Sequence, residues 1–305
     1  MSEGVTHTAV VDDCARLVAV SRDVPDAFRE ALDGRIEIAR LGGITRHGDL
    51  HNPGLLERIR DRWPGGPGDG LHERLAFVIG WLSHRAADRQ MKRVFREADL
   101  GLHALSPTDC SVYHDAFVMR EVYAGADPFP PRLVEPGTAS NAAASAAAKA
   151  IDVEEVEGLF RAMWQRMLLA MHTFIPDDED AEGWLGRVLA TVQRVRVDLR
   201  RYAEALARPD PDKVRRYVEE VRFYDREEPL LRLLASLRRD GGAPDAGAGP
   251  TLEAALEAAR GGSLYARAVA RAFGYVRAAG EFFERRIGRE ELARRLEIGR
   301  PELSG

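Results

Sequence analysis

The chain is poor in cysteine, in lysine, in alternating β-branched stretches and in long apolar runs, and each shortage removes a class of protein. Two cysteines, Cys14 and Cys110, are spread over 305 residues, too few for a disulfide framework and not in a C-x-x-C arrangement. They are expected to be buried thiols in a reducing compartment. No stretch approaches the roughly 18 consecutive apolar residues that read as a membrane span. The opening Met-Ser-Glu-Gly-Val-Thr-His lacks the basic start and apolar core of a secretory signal. The expectation is a soluble, cytoplasmic protein. Lysine is scarce beside arginine, which reads as a bias of genome composition and implies no particular chemistry. A net charge of −5 and an isoelectric point near 6.0 give no broad basic field of the kind that displaces counterions from nucleic-acid phosphates, so at most a local basic groove remains.

What is present is helical periodicity almost from end to end. With 45% hydrophobic residues the chain can bury a substantial core. Apolar residues recur at three and four, which predicts an all-α, multi-helix bundle with almost no sheet. Helices are expected near residues 7–22, 25–42, 52–63, 71–98, 110–124, 152–174, 180–207, 211–222, 228–239 and 263–286, separated by Gly- and Pro-containing breaks. Asp127-Pro-Phe-Pro-Pro-Arg-Leu-Val-Glu-Pro-Gly137 cannot continue a helix, because proline lacks the amide donor and restricts its predecessor. The Ala- and Ser-rich piece from Ala139 to Ala150 is either a closely packed helix or a loose linker. Val156, Leu159, Phe160, Met163, Trp164, Met167 and Leu168 then have the spacing of a buried helix face. The expected organisation is one all-helical domain over residues 1–305, with a metal-site half at about 1–125 and a C-terminal helical half at about 150–305.

Seven of the eight histidines lie between His7 and His114. At the centre of that stretch, Phe77-Val-Ile-Gly-Trp-Leu-Ser-His84-Arg-Ala-Ala-Asp88 carries an imidazole and a carboxylate at i and i+4, which project from the same side of a helix. The surrounding helix is apolar on most sides, and buried groups of this kind must be paired or bound to metal. Further donors stand nearby in sequence: His7 at the start of the first helix, Arg46-His47-Gly48-Asp49-Leu50-His51 in a polar turn, His72 ahead of the His84 helix, and Tyr113-His114-Asp115 opening another. His114 and Glu121, two helical turns apart, share a face. Mixed nitrogen and carboxylate donors suit zinc, with iron or manganese as alternatives, and the absence of paired cysteines argues against a structural thiolate site. His103 and His172 read as packing or surface residues, and Trp63 and Trp81 as core.

In this arrangement, over about residues 6–124, the chain resembles the zinc-dependent phospholipase C proteins and the related single-strand-specific nucleases. The matching positions are Thr6-His7, Gly48-Asp49, His72, the Gly80-to-Asp88 helix, and His114 with a carboxylate on the same helix. Val118 stands where the closing acid of that family would be, so Glu121 or Asp115 takes its place, and the chain begins Met-Ser-Glu in place of the family's tryptophan. The resemblance implies an all-helical enzyme holding two or three zinc ions through His7, Asp49, His72, His84, Asp88, His114 and Glu121, with His47 or His51 as replacements for His72. It implies Asp49 as the residue that bridges or orients the nucleophile. The activity implied is hydrolysis of a phosphodiester or phosphomonoester by a metal-activated water, on a small phosphorylated or phospholipid-type substrate. Arg46, Arg85 and Arg89 are the nearby candidates for gripping phosphate. Two other readings compete. One is a phosphohydrolase of the HD class built on His84, His114-Asp115 and Asp152; the other is a non-catalytic helical protein with a degenerate site.

Overall fold

The computed structural model describes residues 4–45, 51–63, 69–98, 108–123, 181–239 and 251–299. Helix takes up 78% of these, with twelve α-helices and no strand among them, so the all-α, multi-helix expectation holds. The helices expected at 152–174, the proline-rich crossing at 127–137 and the Ala-rich piece lie outside the described residues. In chain order the helices are α1 (Gly4–Val20), α2 (Asp26–Leu32), α3 (Ile36–Ile44), α4 (Asn52–Arg60), α5 (Leu71–Ala98), α6 (Asp109–Glu121) and α7 (Ala181–Ala207). There follow α8 (Pro211–Val214), which runs into a π-helical turn at Arg215–Glu219, then α9 (Pro229–Arg239), α10 (Leu252–Ala259), α11 (Leu264–Phe283) and α12 (Arg289–Arg295).

The single helix expected over 25–42 is two, because Gly34 adopts φ +65°, a left-handed conformation that breaks the ladder between α2 and α3. The chain groups into two compact units, one of Met1–Thr6 with Phe95–Glu220 and one of His7–Val94 with Val221–Gly305. Each unit draws on two separate stretches of chain, whereas the periodicity reading divided the chain by position.

In the second unit, α11 supplies a continuous core face, with Tyr265, Val269, Phe273, Val276 and Phe282 all buried. Its start is fixed three times over: Ser263 caps the Ala266 amide, Glu228 accepts from the Ser263 amide at 2.6 Å and from its hydroxyl at 2.8 Å, and the Arg222 and Phe223 carbonyls accept from the Leu264 and Tyr265 amides. Along α5 the residues Leu75, Ala76, Ile79, Leu82, Ala86 and Met91 are buried, the amphipathic spacing seen in the sequence.

Two acids of α1 stand in this unit as buried ion pairs. Asp12 accepts a bidentate pair of hydrogen bonds from Arg40 of α3, both at 2.8 Å, and Asp13 accepts from the Arg238 guanidinium of α9 and, at 2.9 Å, from the Tyr265 hydroxyl. A charged carboxylate is tolerated there only because a planar fork meets it. Arg238→Met leaves Asp13 with Tyr265 and the weaker, partly exposed Arg16 contact at 3.3 Å. The expected loss is roughly 3 kcal/mol of unfolding free energy. Urea titration of the variant measures it, and a midpoint equal to that of the parent chain refutes the pairing as a stabilising contact.

Candidate metal centre

Three glycines set the geometry from which the site is built. A Cβ placed on Gly80 of α5 would stand 1.8 Å from the Ala39 carbonyl oxygen of α3. One on Gly42 would stand 2.1 Å from the Phe77 carbonyl oxygen, and one on Gly43 would stand 2.4 Å from a methyl of Val11. Only residues without side chains let α3 approach α5 and α1 this closely. The approach brings the Gly43 carbonyl, near the C-terminal end of α3 and so without a helical partner of its own, to 2.8 Å from Nδ1 of His84.

That contact orients His84. A carbonyl only accepts, so Nδ1 carries the proton and Nε2 is the atom offered to whatever lies opposite. Opposite it is Asp88, one turn on, whose Oδ2 lies 3.4 Å from His84 Nε2. The other oxygen, Oδ1, lies 3.2 Å from Nε2 of His7, on the first turn of α1. The two imidazole rings stand with centroids 4.5 Å apart and planes inclined by 31°. Both histidines are buried and Asp88 is partly so. Burial works to raise the Asp88 pKa, but the charge of His84 and the hydrogen bonds from His7 and His84 outweigh it, holding the carboxyl well below the usual range.

The ligand-capable atoms of His7, His84 and Asp88 lie within 4.8 Å of one another, and among the described residues no other trio of histidine, cysteine, aspartate and glutamate comes together in this way. Two imidazoles and a carboxylate are donors for a divalent first-row cation, and three protein donors leave coordination positions open. The hydrogen-bonded second nitrogen of His84 is the outer support that metal-ligating histidines use. A cation and a shared proton compete for the same lone pairs, so the atoms that now exchange hydrogen bonds are the ones a metal would take.

Among the described residues, the other expected ligands are not part of this trio. His72 is half-buried and packs on Trp63 with ring centroids 4.5 Å apart. His114 is fully buried, donates from Nε2 to the Tyr217 carbonyl at 2.6 Å, and lies 3.6 Å from Cys110 Sγ. Burial pushes its pKa down to about 3, against the Tyr217 contact, so the ring is neutral. The Tyr217 carbonyl is available to it because Tyr217 sits in the π-helical turn, where the helix runs out. Glu121 is exposed at the end of α6, and His51 is exposed ahead of α4. Asp49, His47, Arg46, His103, Asp152 and His172 lie outside the described residues.

Arg85 and Arg89, read as phosphate grips, are turned to a different task. Arg85 donates to the Leu296 and Glu297 carbonyls, both at 2.7 Å, and Arg89 to the Glu297 carbonyl at 2.6 Å. They hold the turn that follows α12, in which Glu297 has φ +56°. The residue that periodicity did not single out is Gly43. The Gly42-Gly43 pair at the end of a helical stretch was the available sign, since adjacent glycines there mark a close backbone approach as readily as a break.

Asp115, the anchor of the HD-type reading, is not grouped with these donors. Its Oδ1 accepts from the Thr6 amide at 2.8 Å and the Thr6 hydroxyl at 2.6 Å, and its Oδ2 accepts from the Tyr202 hydroxyl at 3.0 Å. It therefore acts as an N-terminal cap for α1, supplied from a distant helix. No protein-family model, no curated protein and no solved structure matches the chain.

Burial raises the Asp115 pKa from 3.8 to about 6, against the pull of those donors. An acid whose folded pKa lies above its unfolded value binds its proton more tightly when folded, so the contribution to stability is full below about 3.8 and is lost as pH rises through about 6. Urea midpoints at several pH values test this against Asp115→Asn, which has no proton to lose. The parent chain is expected to lose ground to the variant between pH 4 and 6, and a difference that stays constant with pH contradicts the assignment.

Proposed function

We propose that this chain is a metal-dependent hydrolase in which His7, His84 and Asp88 hold one divalent cation. The observation that carries the reading is the convergence of these three side chains, with His84 fixed in one tautomer by the Gly43 carbonyl. Zinc is the first candidate, with iron and manganese accepted by the same donors. The described donors suffice for one cation, where the family resemblance suggested two or three. Phosphoesters are the substrate class we favour, on the order of the His7, His84 and Asp88 motifs along the chain.

The residues divide the work. Asp88 stays ionised over the physiological range and supplies the negative charge that draws a cation into a buried place. His84 keeps a proton on Nδ1, so once the proton it shares with Asp88 is displaced its Nε2 faces the cation with no change of tautomer. His7 closes the third side from α1. A divalent cation held there supplies Lewis acidity, making a water acidic enough to act as a nucleophile near neutral pH and drawing charge from a phosphoryl oxygen. The HD-type alternative asks His114 and Asp115 to do this work, and both are committed to other partners.

The test is elemental analysis of the purified full chain, before and after chelation, joined to hydrolysis of bis-p-nitrophenyl phosphate and p-nitrophenyl phosphate. One equivalent of metal is expected, removed by chelation, absent from His84→Ala and Asp88→Ala, and retained by His72→Ala and Glu121→Ala. Hydrolysis should vanish with the metal and return on its replacement. Protein without stoichiometric metal, or metal that survives His84→Ala, overturns the site. Metal bound with no hydrolysis of either ester overturns the catalytic reading.

A further inference from the structure

On the same unit, α11 carries a second feature that the metal centre does not use. Arg267 and Arg271 are spaced i and i+4, so they stand side by side on one face of the helix. Arg222 joins them from the turn before α9: its carbonyl accepts from the Leu264 amide at 2.9 Å, which ties it to the first turn of α11, one turn ahead of Arg267. The Arg222 backbone is held at φ +49°, a costly conformation for a residue with a side chain. Both neighbours act on Arg267: burial and the charges of Arg222 and Arg271 lower its pKa, against a weaker opposing pull from Glu228. Like charges gathered in this way destabilise one another unless an anion lies between them.

The available carboxylates do not neutralise the group. Glu228 is occupied by the Ser263 amide and hydroxyl, and stands 3.8 Å from Arg222 Nη2, beyond hydrogen-bond distance. Glu297 is taken by the Tyr275 hydroxyl at 2.9 Å and by Arg89. Arg267 meets a neutral partner: with the Gln90 amide turned so that its oxygen faces α11, Arg267 donates from Nε and Nη2 at 3.0 and 3.2 Å. That fixes the guanidinium plane and leaves Nη1 for another acceptor. Arg271 is half-buried and makes no hydrogen bond or ion pair with a described residue.

We propose that Arg222, Arg267 and Arg271 form a binding site for a phosphate dianion, as inorganic phosphate or as the terminal group of a small phosphomonoester. Three guanidiniums against one carboxylate leave an excess of two positive charges, which a dianion cancels and a lone carboxylate ligand does not. Planar forks also match the oxygens of a phosphate two at a time. The site is independent of the hydrolase reading, since it shares no side chain with the metal centre.

The experiment uses the full chain, treated with chelator so that no metal contributes, and follows inorganic phosphate binding by calorimetry and thermal unfolding. Phosphate should raise the unfolding temperature, and Arg271→Gln and the exposed Arg222→Gln should each weaken binding by roughly tenfold or more. Without phosphate, Arg271→Gln should unfold at the same or a higher temperature than the parent chain, because it relieves repulsion. No phosphate-dependent shift in the parent chain overturns the proposal, as does binding that Arg271→Gln leaves intact. Glycerol phosphate run in parallel separates the sources: tighter binding than inorganic phosphate assigns a phosphomonoester, and weaker binding assigns the free ion. Unaltered phosphate binding by His84→Ala keeps this result apart from the fate of the metal reading.

Discussion

The meeting of α3 with α5 at backbone contact is the constraint on which the candidate centre depends. Without side chains at Gly42, Gly43 and Gly80 the two helices come close enough for a main-chain carbonyl to reach an imidazole across the interface. A carbonyl is a stiff partner, because it moves only with the helix that carries it. His84 is therefore set by backbone, and the orientation of its Nε2 is a property of how two helices cross. Asp88 inherits the same precision through the one-turn spacing on α5.

A second pattern is how the chain handles buried charge. Asp12 and Asp13 of α1 meet arginine forks, Asp115 meets two hydroxyls and an amide, and Asp88 meets two imidazoles. The partners decide what each acid can do. An arginine keeps its proton and offers a cation no lone pair, so the Asp12 and Asp13 pairs serve as fasteners. Neutral hydroxyls support the charged form of Asp115 weakly, and its proton stays within reach of ordinary pH. Imidazoles are the one partner here whose shared proton a cation can replace, because a neutral ring offers a lone pair where the charged ring offered a proton. Among the four, Asp88 alone is placed for exchange.

Much of the fold was legible because it rests on local rules. The boundaries expected for α5, α7 and α9 agree with those found to within about two residues, since three-and-four periodicity survives any choice of neighbour. The break at Gly34 was missed, because a lone glycine in a periodic stretch looks the same whether it continues a helix or takes a left-handed turn. The short α10 and α12 were also unforeseen, being too brief for a period to show. At the site, His84 and Asp88 were legible from their spacing. His114 and Glu121 satisfied a spacing rule as well, yet same-face spacing says nothing about what the face meets, and His114 meets the Tyr217 carbonyl. Gly43 was hidden for a deeper reason: its contribution is a main-chain oxygen, which every residue possesses.

Burial of both cysteines carries a chemical corollary. Cys14 lies in the same unit as the histidine pair, with its thiol pushed up to about 12, chiefly by loss of solvation. A thiol held in its protonated form near neutral pH is a poor nucleophile there. Soft, thiophilic ions such as cadmium or copper(I) reach sulfur there only by displacing that proton, a cost that nitrogen- and oxygen-seeking cations at the histidine pair do not meet.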